Sequence, residues 1–261
     1  MYGLEDIDLV VRYYDDAFGI SGEAELAWYL DKVRKSGDPI LDLAAGTGRL
    51  ALAFARDGFQ VTGIDRSKGM LDIFKRKRKQ EDPEIRHKID IKNQEMTNFH
   101  LYKKFNAVVC CDAFFHNLTV EDQINCLLRV AQHLKPGGHF LFNLPNPNCQ
   151  FLMEVMNSDP DQFEERGRYT LQNNQGTLLV EQSNSVDLLS QIITTKLRFT
   201  RFNGKGYVDE SGESHWKSRY LFRYEAIHLL YRCGFKVKDL VGDYKNGPVT
   251  VGGQLIFDVT L

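Results

Sequence analysis

Two carboxylates bracket a glycine turn in ILDLAAGTGRLALAFARDGFQVTGID, Ile40 to Asp65. Gly46 and Gly48 allow a tight turn and a close backbone approach to a ligand. With Ala51 they satisfy the G-x-G-x-x-[GA] spacing. Asp65 follows Gly48 by 17 residues, close to the ~20 at which a carboxylate accepts from ribose hydroxyls. Asp42 lies just ahead of the turn. A carboxylate there repels a pyrophosphate but suits a ligand that carries an ammonium group and a sulfonium. S-adenosylmethionine is such a ligand. Asp42 can instead do no more than accept from backbone N–H groups of the turn.

The elements that must hold these groups read as a βαβ unit. Ile40 to Leu43 is an apolar run too short for a helix, closed by Pro39 and the glycines, hence a buried strand. Arg49 to Asp57 is rich in helix formers, with Leu50 and Phe54 on one face and Gly58 as the stop. FQVTGI returns as a second strand, and the helix N-terminus aims its donors at whatever the turn holds. Beyond it come a helix over Ser67–Gln80, a third strand over Ile89–Glu95 and a fourth over Phe105–Asp112. Thr119 caps a further helix that KPGG stops, and HFLFNL starts a fifth strand. This alternation predicts an α/β fold with a doubly wound, mostly parallel sheet. Between Gly167 and Phe222 the pattern changes. ITTKLRFTRF and HWKSRYLF alternate apolar with polar residues, which with GTLLVEQ predicts a small inserted antiparallel sheet.

Composition excludes several function classes. The 33 Lys and Arg against 35 Asp and Glu leave a net charge of −2, so no global field recruits nucleic acid or an anionic membrane, and a nucleic-acid partner is disfavoured. KRKRK, Lys75 to Lys79, reads as a solvated helix end whose cations suit the dipole. No apolar run approaches the ~20 residues of a membrane span, and MYGLEDIDLV lacks a basic start and an apolar signal core. A cytoplasmic location is the expectation. The cysteines 110, 111, 126, 149 and 233 lack zinc spacing and read as reduced thiols, so no metal is expected.

Several blocks together carry a resemblance: LDLAAGTGR at Leu41 to Arg49, GID at Gly63 to Asp65, NQEM at Asn93 to Met96, FNAVVCCDAFFHNL at Phe105 to Leu118, and LKPGGHFLFNL at Leu134 to Leu144. In order and spacing the sequence resembles a class I (seven-stranded, Rossmann-like) S-adenosylmethionine-dependent methyltransferase over most of residues 38–145. SRYLFRYEAIHLLYRCGFKV and GGQLIFDVTL resemble the closing helix and strands of such enzymes. The layout is similar to small-molecule N-methyltransferases, including those acting on amino sugars, which insert extra strands before the last helix. Ala44 departs from the pattern by replacing its first glycine.

The resemblance implies S-adenosylmethionine as cofactor. It places Asp42, Ala44, Gly46 and Gly48 at the methionine end, Asp65 with Arg66 at the ribose, Glu95 and Met96 at the adenine, and Cys111 and Asp112 beside the methionine and sulfonium. Asp112 could equally be a turn residue. Tyr14, with Tyr13 close behind, is implied to reach over the cofactor, and their alternative role is amphipathic packing. His116, just past the fourth strand, is the best titrating candidate for a catalytic base, or else only packs or caps the next helix. The implied layout is N-terminal helices over residues 1–37, a cofactor-binding core over 38–150 and 221–261, and an insert over 151–220 acting as lid or homodimer face. A small-molecule methyltransferase therefore leads. An NAD-linked oxidoreductase and a cofactor-binding protein without catalysis are the alternatives.

Overall fold

All four residues of β1 (Ile40–Leu43) are buried, as the centre of a parallel sheet covered on both faces requires. In the computed structural model, which describes residues 8–18, 22–171 and 176–261, this strand lies between β2 (Val61–Asp65) and β4 (Phe105–Cys110) in a seven-stranded sheet. The first seven residues and residues 19–21 of the N-terminal segment lie outside the described set, as do 172–175. The sheet order is β10-β11-β5-β4-β1-β2-β3, with β3 (Ile89–Asn93), β5 (Leu134–Pro145), β10 (Lys236–Val241) and β11 (Gln254–Thr260). Only β11 runs antiparallel to its neighbours. Asp42 pairs with Gly63 on one side and Val109 on the other, so the ends of β1, β2 and β4 are level.

Around this sheet stand α2 (Glu23–Ser36), α3 (Arg49–Arg56), α4 (Lys68–Gln80), the single turn α5 (Pro83–Arg86), α6 (Val120–His133) and α8 (Arg223–Arg232). The local signals explain their limits. Ser67 caps α4 by accepting from the Met70 N–H, and Thr119 caps α6 by accepting from the Asp122 N–H. Gly37 (φ +80°) and Gly58 (φ +107°) end their helices in the left-handed region. One core face gathers Phe114, Phe140, Phe142, Phe235 and Phe257, and the other Tyr29, Phe54 and Phe74. On α2, Lys32 Nζ donates to Asp239 and Asp258, each at 3.0 Å, fixing that helix against β10 and β11.

Several strand boundaries differ from the sequence reading: β2 runs from Val61 to Asp65, and β3 stops at Asn93, short of Glu95. β5 begins at Leu134, not at His139, because Leu134 already pairs with Phe105 and the KPGG segment is an excursion before pairing resumes at Ala107 and His139. β4 stops at Cys110, since Asp112 turns into the left-handed region at φ +49°.

The chain divides into two compact units, residues 22–147 with 220–261, and residues 1–21 with 148–219. The sequence grouped both N-terminal helices together. Here α2 goes with the seven-stranded sheet and α1 (Asp8–Phe18) with the second unit. That unit holds α7 (Cys149–Asn157) and an antiparallel sheet of β6 (Glu164–Thr170), β7 (Thr177–Asp187), β8 (Ile192–Phe202) and β9 (Val208–Arg219). Leu178, Val180, Leu197 and Phe199 alternate onto one face and pack with Val10, Tyr13 and Ala17 of α1. Among the described residues, no helix is long and apolar enough to cross a membrane.

One side chain holds the βαβ unit closed. Phe74 of α4 lies where a Cβ on Gly48 would sit 2.1 Å from its Cδ2, and where a Cβ on Gly63 would sit 2.7 Å from its Cε1. Gly48 is also left-handed, whereas Gly63 is required by sterics alone. Gly63→Ala is therefore expected to cost about 1–3 kcal/mol by overpacking. In a urea-unfolding cycle with Phe74→Leu, the double variant should lose at least about 0.5 kcal/mol less than the sum of the singles, the signature of direct contact. Strict additivity would rule Phe74 out as the limit.

Candidate active site

The carboxylate-terminated ends of β1 and β2 meet at the glycine turn. Asp65 Oδ2 accepts from the Gly46 N–H and its Oδ1 from the Ser67 N–H, both at 2.8 Å. Asn93 Nδ2 donates to the carbonyls of Asp65 and Arg66, each at 2.8 Å, fixing the residue from behind. Burial raises the Asp65 pKa in spite of the donors around it. The carboxylate takes these backbone bonds, with the Arg66 N–H also close to it, and keeps acceptor capacity for a ligand hydroxyl.

The turn has one open and one filled side. A Cβ on Gly46 (φ +55°) would meet nothing within 4 Å, whereas that of Gly48 would enter the Phe74 ring. Gly46 is thus the glycine with room for a ligand. Ala44 holds φ +60°, a conformation glycine takes without cost, which is the physical content of its departure from the family pattern. Beneath them Asp42 is 3% exposed, and its Oδ2 accepts from the Ala51 N–H in α3 at 3.0 Å. The backbone role open to this residue is therefore present, and it occupies only one oxygen. Burial pushes the Asp42 pKa up to about 7, against the pull of Arg49 and the Ala51 N–H.

At the end of β3, Glu95 Oε1 accepts from the Met96 N–H at 2.9 Å and its Oε2 from Arg66 at 3.4 Å. Asn117 Nδ2 donates to Met96 Sδ at 3.3 Å. At the end of β4, Asp112 is clasped by Asn143 of β5, which accepts from the Asp112 N–H at 2.8 Å and donates to its Oδ1 at 2.5 Å. The left-handed backbone of Asp112 is the kind of strain such a clasp must hold. Arg49 reaches across from α3 to Glu25 Oε1 at 2.5 Å and Cys111 Sγ at 3.6 Å. Burial, then Asp112 and Glu25, push the Cys111 thiol well up, so it stays protonated. Glu25, Cys111 and Asp112 bring possible metal ligands within 4.8 Å of one another. A protonated thiol and a carboxylate already paired with arginine do not make a cation site.

The structure thus brings Asp42, Ala44, Gly46, Gly48, Asp65, Arg66, Glu95, Met96, Cys111 and Asp112 to the strand ends of the larger unit, at the point where the order reverses between β1 and β4. His116 sits half-buried on a 3-10 turn, Phe114–His116, its ring 4.7 Å from that of Phe115. Tyr13 and Tyr14 lie on α1 in the smaller unit. Tyr13 is buried there with Arg201 donating to its hydroxyl at 3.3 Å, and the Tyr14 ring is 5.4 Å from Phe18. Sequence reasoning missed Glu25, Arg49 and Asn143. Glu25 had a signal: it falls on the same helical stripe as the buried Trp28, Tyr29 and Val33, where an acid needs a partner.

Comparison with known proteins agrees with this geometry. The methyltransferase-domain family matches residues 40–138. A putative methyltransferase, YqeM of Bacillus subtilis, is 29% identical over 219 residues, 84% of this chain and 81% of that protein. An S-adenosylmethionine-dependent methyltransferase of Clostridium acetobutylicum superposes with a TM-score of 0.76 at 18% identity, covering 97% of this chain and 98% of the other. CalS10 of Micromonospora echinaspora, an amino pentose methyltransferase solved with its cofactor, gives 0.68 at 18% identity over 97% and 98%.

The raised pKa of Asp42 has a signed consequence. Its folded value of about 7 exceeds the ordinary 3.8. Between these values the unfolded chain gives up a proton that the fold retains, so this group makes folding less favourable as pH rises, with the full penalty above about 7. Asp42→Asn, which can still accept from Ala51, should match the parent Tm near pH 4 and gain on it steadily to pH 7.5 in the ligand-free protein. A Tm difference independent of pH would mean Asp42 is not held protonated.

Proposed function

We propose that this chain is an S-adenosylmethionine-dependent methyltransferase of the class I fold that moves the methyl group to a nitrogen or oxygen of a polar small molecule, a reading supported by the methyltransferase-domain match and the structural likenesses. The observation that supports the cofactor's place is the pair of carboxylates, buried Asp42 below the turn and half-buried Asp65 across it, with the open side at Gly46 between them. Asp65 accepts from the ribose hydroxyls with its remaining lone pairs. Glu95, held by Met96 and Arg66, faces the adenine end. Asp42 and the clasped Asp112 lie toward the ammonium and sulfonium.

Once bound, the cofactor supplies a methyl group activated by its sulfonium, and the displaced product is S-adenosylhomocysteine. What remains for the chain is to hold the acceptor in line, near ~3 Å, and to take up the proton that an amine or hydroxyl gives up. His116 is proposed for the proton. Tyr14 and Tyr13 are proposed to cover the cofactor, and the four-stranded sheet to serve as acceptor wall or homodimer face. The small-molecule reading draws support from the likeness, over nearly the whole chain, to an amino pentose methyltransferase. The near-neutral charge supports it too, since it favours no polyanion, and it fits a cytoplasmic setting.

The test is release of S-adenosylhomocysteine on mixing the protein and S-adenosylmethionine with a metabolite extract, with one compound gaining the ~14 mass units of a transferred methyl. Tighter binding of NAD than of S-adenosylmethionine would overturn the reading. On the compound so found, His116→Asn should lower turnover about 100-fold with cofactor affinity kept, and shift the acid limb of the rate profile. A loss under about tenfold with an unchanged profile leaves positioning alone in charge of the reaction.

A further inference from the structure

The connection from β10 to β11 is a stiff clip that carries one aromatic inward. Asp243 Oδ1 accepts from the N–H groups of Lys245 and Gly247, both at 2.8 Å, and the Gly242 N–H bonds the Gly247 carbonyl at 2.8 Å. Trp28 Nε1 donates to Asn246 Oδ1 at 3.0 Å, pinning the clip to α2. Tyr244 stands within it, its ring centroid 6.1 Å from that of Trp28 and 5.9 Å from that of Tyr29. The ring is only partly covered, yet its hydroxyl is sealed from solvent and, among the described residues, makes no hydrogen bond. Cys111, Asp112 and Glu25 are close enough to hold that hydroxyl protonated, after burial itself, while the Tyr29 hydroxyl, near it but outside hydrogen-bond geometry, pulls the other way. A shielded hydroxyl left unbonded beside an active site is costly, and a ligand that bonds it removes the cost.

Strand order says which ligand that is. The glycine turn, Asp65 and Glu95 follow β1, β2 and β3, on one side of Asp112 at the end of β4. Tyr244 comes from the β10–β11 connection on the other side, each strand step being about 4.8 Å. A cofactor laid from Asp112 toward Glu95 extends away from Tyr244. In-line displacement brings the acceptor to the methyl from the side opposite the departing sulfur. Resting on the reading given above as the proposed function, we propose that the Tyr244 hydroxyl contacts the methyl acceptor, bonding an amine or hydroxyl group that it carries and so selecting acceptors with such a group.

Tyr244→Phe keeps the ring contacts and removes one oxygen. The acceptor source is the small-molecule fraction of a bacterial extract, titrated by dilution, with release of S-adenosylhomocysteine as the signal. The half-saturating amount should rise about tenfold or more, the effect of losing a hydrogen bond to a polar substrate group. By calorimetry, affinity for S-adenosylhomocysteine should stay within about twofold, because the cofactor side is untouched. The Tm should be equal or higher. Unchanged saturation, a parallel fall in product affinity, or a lower Tm would each overturn the proposal, the last by showing that the hydroxyl has a structural partner. If the parent enzyme releases nothing from the fraction, it is the small-molecule reading that fails. The other two arms then decide for Tyr244: unchanged affinity with an undiminished Tm retains it as a hydroxyl reserved for the acceptor, and any loss in either removes it.

Discussion

The Asp65 carboxylate between two backbone donors is the constraint from which the rest of the site follows. By accepting from Gly46 it fixes the turn after β1, and by accepting from Ser67 it fixes the entry to α4 after β2. Two loops from different strands are thereby held by one side chain. The α4 entry it sets also carries Phe74, which closes over Gly48 and Gly63. The turn cannot relax outward without losing the Asp65 bond, nor inward without meeting the Phe74 ring. Preorganisation of this kind lets a ligand bind without first ordering the backbone that receives it.

The site also gathers carboxyl groups before any ligand arrives. Asp42 is buried and Asp65 half-buried, Asp65 raises the pKa of Asp42 and Glu95 that of Asp65, and Glu25 joins them at the far side with Arg49 as its counter-ion. Such an arrangement is poor for stability and good for a cationic ligand, the kind of local compromise that marks a functional region. Asn143 makes a related compromise. It is buried on a core strand, where an apolar residue would pack more simply, and it spends its amide holding a left-handed Asp112 in place.

Much of this was legible in the sequence because it depends on local rules. The βαβ unit, the cap at Thr119, the glycine stops and the alternating strands of the second sheet were all read from short-range pattern. Of the strand-end residues, Asp42, Gly46, Gly48 and Asp65 were read from the turn itself, and the rest were implied by the family resemblance. What escaped were pairings across the fold: Glu25 with Arg49, Asn143 with Asp112, and the enclosure of the Tyr244 hydroxyl. No spacing rule links residues brought together by different strands. The KPGG excursion was misjudged for a like reason, because pairing of Leu134 with Phe105 is a tertiary fact.

The place of β11 carries a consequence for how the chain is made. Residues of β5 such as Asn143 pair with β11 residues such as Ile256, which are synthesised only after the whole insert and α8, and β11 is buried along nearly its whole length. The nascent chain therefore carries the apolar edge of β5 uncapped while the whole insert and α8 are still being translated, a delay of several seconds at roughly 5–20 residues per second. An open edge of this sort is the template on which chains join wrongly. The arrival of β11 thus decides whether the polypeptide closes its sheet or becomes a client for chaperones.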